Sequence, residues 1–123
     1  RPRSSTPLAA LVLLNDPSYV EAARSLATLI LKKHSSVDQR INLIFKRAFS
    51  REVMESERKV VQALLESQLN FYEANVEKAS ELISIGQTPK PAKEELQVTD
   101  AELAAWTSVC RAVMNMHEFV LRK

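Results

Sequence analysis

At 123 residues, with 46% hydrophobic and 26% charged residues, the chain has the size and balance of one globular domain with a buried core. A single Gly and five Pro exclude a fold built on many tight turns, and one cysteine excludes an internal disulfide framework. The net charge of +2 is unevenly placed: residues 32–59 hold eight basic and four acidic side chains, residues 60–123 six and nine.

The first predicted helix covers residues 7–14, PLAALVLL, with Thr6 as N-cap and Pro7 at the first helical position, where a missing N–H costs nothing. It is apolar on nearly every side, so it needs a partner surface in the centre of the domain or outside this fragment. Eight apolar residues are too few to cross a bilayer. No signal-peptide pattern is visible, and a start at Arg1 rather than Met suggests a processed or excised chain.

Asn15 or Asp16 then caps a second helix that begins at Pro17, with Tyr19, Ala23, Leu26, Ile30 and Lys33 along one stripe. Ser36 caps a third, whose apolar face is Val37, Ile41, Ile44, Phe45, Ala48 and Phe49. Arg40, Arg47 and Arg51 flank that face along one edge, a candidate contact for a polyanion. No aromatic residues interleave with these cations as a base-stacking platform requires, so nucleic acid is not the favoured partner. The alternative is two oppositely charged faces that are solvated or face one another.

A fourth helix begins near Glu55 and runs to about Ala74, with Val61, Leu64, Leu65, Tyr72 and Val76 as its stripe and Gln68 as a polar interruption. Asn75 either caps a separate short helix, VEKASELISI, or is passed through by a continuous one. Gly86 ends that segment, and residues 87–98, with Pro89 and Pro91, form the one loop-like stretch. Thr99 with Glu102 forms a capping box for the last helix.

That last helix has one stripe of Leu103, Trp106, Cys110, Val113, Met114, His117, Val120 and Leu121. A second holds Ala105, Val109, Ala112, Met116 and Phe119, leaving Thr107, Ser108, Arg111, Asn115, Glu118 and Arg122 on the polar arc. A helix with two apolar stripes is buried on two sides, so this is the expected central helix. Its Cys110, Met114 and His117 are the ligand vocabulary of a soft-metal site. Cys110 and His117, however, are seven residues apart, about 10.5 Å along a helix axis, against metal bonds of about 2.0–2.3 Å. The three remain weak metal candidates, and the stripe reads as packing.

No catalytic constellation stands out. A G-x-S-x-G elbow is absent, and one Gly cannot build a phosphate-cradling loop. Glu73, Glu77 and Glu81 read as a solvated acidic face. The expectation is an all-α bundle of five to six helices with short connections, a single domain over residues 1–123.

Three segments in order carry a resemblance: RPRSSTPLAALVLLNDPSYVEAARSLA (1–27), INLIFKRAFSREVMESE (41–57) and ELAAWTSVCRAVMNMHEFVLRK (102–123). Together they resemble the C-terminal portion of the planctomycete domain of unknown function that closes large secreted proteins, downstream of a cytochrome-c-like domain. Residues 6–8 with 13–17, and residues 104–107 with Asn115, Glu118 and Phe119, are the most specific parts. The chain departs from the pattern at Ala9, Cys110 and His117. The resemblance implies an exported bacterial protein, periplasmic or on the cell surface, with any haem held upstream and no cofactor in this fragment. It supplies no catalytic residue.

From these readings the expected role is structural or interaction-mediating, as the C-terminal part of a larger protein docking on its upstream domains, with homo-oligomerisation open. The second reading is the helical part of a haem-linked redox or polysaccharide-processing enzyme, which needs a polar cluster such as Asn15, Asp16, Asn115 and Glu118. The third is polyanion binding through residues 32–59.

Overall fold

The computed structural model describes residues 17–85 and 98–121, and among these every regular element is a helix. In order they are α1 (Pro17–Lys33), α2 (Val37–Phe49), α3 (Glu55–Ala74), α4 (Val76–Ile83) and α5 (Asp100–Leu121). The helix expected over residues 7–14, the caps Asn15 and Asp16, Gly86 and most of the loop expected over 87–98 lie outside the described residues.

Local chemistry sets the boundaries. At α2 the Gln39 amide donates to Ser36 Oγ (3.4 Å), the cap expected of Ser36. Its other end is closed by Ser50 at φ 56°, a left-handed position usually taken by Gly or Asn, with the Ser50 amide donating to the Lys46 carbonyl. At α3, Glu57 reaches back to accept from the Met54 amide (2.9 Å). Thr99 and Glu102 exchange both bonds of a capping box at the start of α5: the Glu102 amide donates to Thr99 Oγ1 (3.1 Å), and the Thr99 amide to Glu102 Oε1 (3.2 Å).

Residues 55–85 form two helices. The break is at Asn75 (φ −134°, ψ 66°), whose carbonyl accepts from the Lys78 and Ala79 amides. Its side chain turns back instead, donating to the Phe71 carbonyl (2.8 Å), so Asn75 closes α3 and stands at the N-cap position of α4 without a side-chain cap bond.

The bundle is assembled on α5, which packs against all four other helices. Ala101 and every residue from Leu103 to Cys110 are buried, as is Val113. Around them stand Val20, Ala23, Ala27, Ile30 and Leu31 of α1, Ile41, Ile44 and Phe45 of α2, Val61, Leu65 and Tyr72 of α3, and Ala79, Leu82 and Ile83 of α4. Among the described side chains, which leave out Tyr19, His117, Phe119, Val120 and Leu121, the expected stripes hold with four corrections. Met116 of the second α5 stripe is exposed. In α1 the buried line runs through Val20 and Ala27, and Leu26 is only half-buried. Val37 and Val76 are exposed, because each is the first residue of its helix and projects past the neighbours. Thr107 and Ser108, placed on the polar arc, are buried: α5 is enclosed on that side too.

Those buried hydroxyls are satisfied internally. Thr107 Oγ1 donates to the Leu103 carbonyl one turn back (2.7 Å), and Ser108 Oγ shares a hydrogen bond with Tyr72 Oη (3.3 Å). The third buried polar side chain is Arg24, 2% exposed. Its guanidinium donates to the carbonyls of Ile83 and Ile85 (3.2 Å to the latter), with Glu21 at 3.9 Å. A cation thus occupies the C-terminal end of α4, where helix carbonyls lack intrahelical donors and the helix dipole is negative.

Candidate functional site

On α5, Cys110 is completely buried, and burial alone pushes its thiol well above the ordinary range. A metal-bound cysteine must be the thiolate, so this environment opposes ligation. Met114 one turn on is half-buried against the core. The His117 side chain lies outside the described residues, and among the described residues no group of three His, Cys, Asp or Glu is gathered. Of the polar cluster Asn15, Asp16, Asn115 and Glu118, only Asn115 falls among the described side chains, half-buried on α5.

The basic edge of α2 is better defined. Arg40 folds inward: its Nε donates to the His34 carbonyl (2.7 Å) at the end of α1, and its guanidinium lies 5.6 Å from the centre of the Trp106 ring. Burial lowers its pKa, and the Glu102 carboxylate partly opposes that. Arg51 forms a two-pronged pair with Glu57, at 2.9 and 2.7 Å, and stacks near Phe45 and Phe49 at 5.6 and 5.0 Å. The pair holds the Arg51 guanidinium above and the Glu57 carboxyl below their usual ranges, in both cases mainly through the hydrogen bonds. Two of the three arginines on the candidate polyanion edge are therefore braces between elements. Arg47 is exposed.

Beside that edge lies an open cleft of about 420 Å³, lined in part by His34, Asn42, Leu43, Lys46, Arg51 and Arg58. Arg58 is already engaged, donating to Asn42 Oδ1 (2.8 Å) and facing the carboxylates of Asp38 (3.5 Å) and Glu55 (3.6 Å). With Arg51 paired to Glu57 and Glu52 also in the wall, the charges around the cleft largely cancel. The +4 balance of residues 32–59 does not translate into a concentrated positive site.

A model of the family described as "Protein of unknown function (DUF1553)", short name PSD1, matches residues 1–65. The chain belongs to that family. No curated protein and no solved structure matches it. The DUF1553 match ends inside α3, so the matched segment holds α1, α2 and half of α3 but not the helix around which they pack. The part of the resemblance carried by residues 102–123 lies outside the matched range. No described helix is long and apolar enough to cross a membrane.

Four features are not foreshadowed, or only weakly, by the sequence. Arg24 gave no signal, since its acceptors become neighbours only when α1 meets the end of α4, 59 residues away. The inward turn of Arg40 was foreshadowed only by Trp106, and the burial of Thr107 and Ser108 by the small residues flanking them. The Arg51–Glu57 pair was the most accessible of the missed contacts, because both residues flank the expected start of α3.

Proposed function

We propose that the chain is a helical interaction module closing a larger exported bacterial protein, and that it docks onto the segment preceding it in that parent. One observation carries this reading. The wrap around α5 is complete from Leu103 to Cys110, still holds Val113, then thins: Met114 is half-buried and Met116 is 45% exposed, while the helix continues to Leu121. The apolar pattern of the sequence itself continues beyond Met116, through Phe119, Val120 and Leu121. An exposed apolar residue where a core helix thins out of its bundle supports a docking surface for a partner.

The resemblance drawn from the sequence supports the setting: a planctomycete parent with a cytochrome-c-like domain upstream, any haem residing there, and export to the periplasm or cell surface. Among the described residues the buried polar groups Arg24, Thr107 and Ser108 all serve the fold and give the enzyme reading no support. Arg40 and Arg51, engaged as braces, give the polyanion reading little to work with.

The test is light scattering on a sizing column, with the chain alone and then mixed with the preceding segment of its parent. A stoichiometric complex weakened at least about tenfold by Met116→Glu is expected. A chain that elutes unchanged in the presence of that segment overturns the proposal.

A further inference from the structure

A second surface is built into α3. Taking about 100° per residue from Val60, the residues Ala63, Leu64, Ser67, Phe71 and Ala74 all fall within about 60° of it. The core-facing residues Val61, Leu65 and Tyr72 lie at about 100–140° on the same wheel. α3 therefore has an apolar flank beside its core face, and the bundle leaves most of it uncovered: Val60 is 66% and Phe71 43% exposed, Ala63, Ser67 and Ala74 are exposed as well, and Leu64 is half-buried against the core. The flank runs about 21 Å, four turns of helix without a charge. Charges resume only along its outer border, at heptad spacing: Lys59, Glu66 and Glu73.

We propose that this flank pairs antiparallel with the same flank of a second copy of the chain, about a two-fold axis passing near Glu66 and Ser67. The border charges select that occupant and that direction. In an antiparallel pair, border residues on one side face border residues of the same side, so Lys59 of each copy meets Glu73 of the other. Among the described residues none of Lys59, Glu73 or Glu77 has an ion-pair partner of its own. The end of α3 at Asn75 opens into a corner of about 440 Å³ lined by Glu77, Lys78 and Glu81, which adds negative charge where the second Lys59 arrives. A parallel pair would set this border against the opposite side of the other helix and bring Lys59 and Glu73 no closer to each other. Ser67, small and central, lets the two helices approach, with Leu64 lying beside Phe71 of the other copy. One contact opposes the arrangement: Glu66 meets its own copy near the axis.

The surface is smaller than the roughly 800 Å² per partner of a stable interface, so the expected dimer is reversible, with a dissociation constant in the range of roughly tens to hundreds of micromolar. Sedimentation equilibrium of the full chain across that range tests it. Phe71→Lys should leave circular dichroism unchanged and weaken the dimer at least about tenfold. Lys59→Glu should weaken it about three- to tenfold, and adding Glu73→Lys should restore it. Glu66→Gln should tighten it, an effect no merely structural role would produce.

A chain that stays monomeric throughout, a dimer indifferent to Phe71→Lys, or a double charge swap no better than Lys59→Glu alone each overturns the proposal. So does a flank that instead captures the preceding segment of the parent, seen as loss of that complex in Phe71→Lys. Met116→Glu should leave the dimer intact, which keeps this surface separable from the docking face at the end of α5.

Discussion

α3 and α5 are the two longest helices, 20 and 22 residues, and the bundle uses them in opposite ways. Over Leu103 to Cys110, α5 has no face left to solvent, and even its hydroxyls are drawn inside and bonded there. α3 buries only the line of Val61, Leu65 and Tyr72 and leaves a second apolar line outside. As sequences they differ too, α5 showing two apolar stripes and α3 one. What separates them in the fold is the number of neighbours among the described residues, where four helices converge on α5 and none lies along the outer flank of α3. A wide apolar arc measures how much partner surface a helix needs, while the fold decides whether that surface is supplied from within.

The sharpest way to break this comparison is to place one charge in each helix. Val109→Asp buries an unpaired carboxylate at a fully enclosed site and should cost more than about 4 kcal/mol, enough to unfold a marginal domain. Val60→Asp, at low protein concentration, should fall within about 0.5 kcal/mol of the parent chain in urea denaturation. Similar losses for the two would show that α3 is covered after all.

Trp106→Ala comes next, at about 3–5 kcal/mol, because it removes a nearly buried aromatic and the stacking surface of Arg40. Arg24→Met should cost about 2–4 kcal/mol, since two carbonyls at the end of α4 lose their donor. Its signature is local: amide exchange in α4 should accelerate more than in α2.

The enclosure of α5 also sets the chemistry of Cys110. The native thiol should react with a disulfide reagent only as fast as the chain opens, and denaturant should release it at once. Because burial raises the native value, the unfolded chain ionises first. Stability should therefore decline as pH rises past the ordinary thiol range of about 8.5, and Cys110→Ala should abolish that slope.

The smallest effect belongs to the N-terminal end of α3. Arg51 holds the Glu57 carboxyl below its ordinary range, so the pair favours the folded state above the unfolded value of about 4.3 and loses that contribution as pH falls through the lower native value. Glu57→Gln should flatten the acid limb of the urea midpoint, measured against pH, and leave the neutral region almost unchanged.

Elements whose signals are local were legible in the sequence. Ser36, the Thr99–Glu102 pair and the start of α3 are all set by bonds spanning three residues, and the break at Asn75 was open as one of two choices. The central place of α5 followed from its two stripes. What stayed hidden depends on pairs far apart in the chain. Arg24 has the same local surroundings as an exposed arginine until α4 ends above it, and Arg40 lies on an edge that only Trp106 converts to an interior one. Of the candidate site residues, Cys110 could be weighed by helix geometry alone, whereas the basic edge misled because charge counts ignore which cations already have partners.

The position of α5 has a consequence for how the protein is made. A chain leaving the ribosome at roughly 5–20 residues per second completes α1 about 67 residues before α5 begins, a delay of roughly 3–13 s. Throughout it Val20, Ala27, Ile30 and their counterparts on α2 and α3 have lost neither their apolar character nor yet gained the helix that covers them. Core formation is therefore deferred until α5 has been made, and until then the apolar faces of the earlier helices stay open to water.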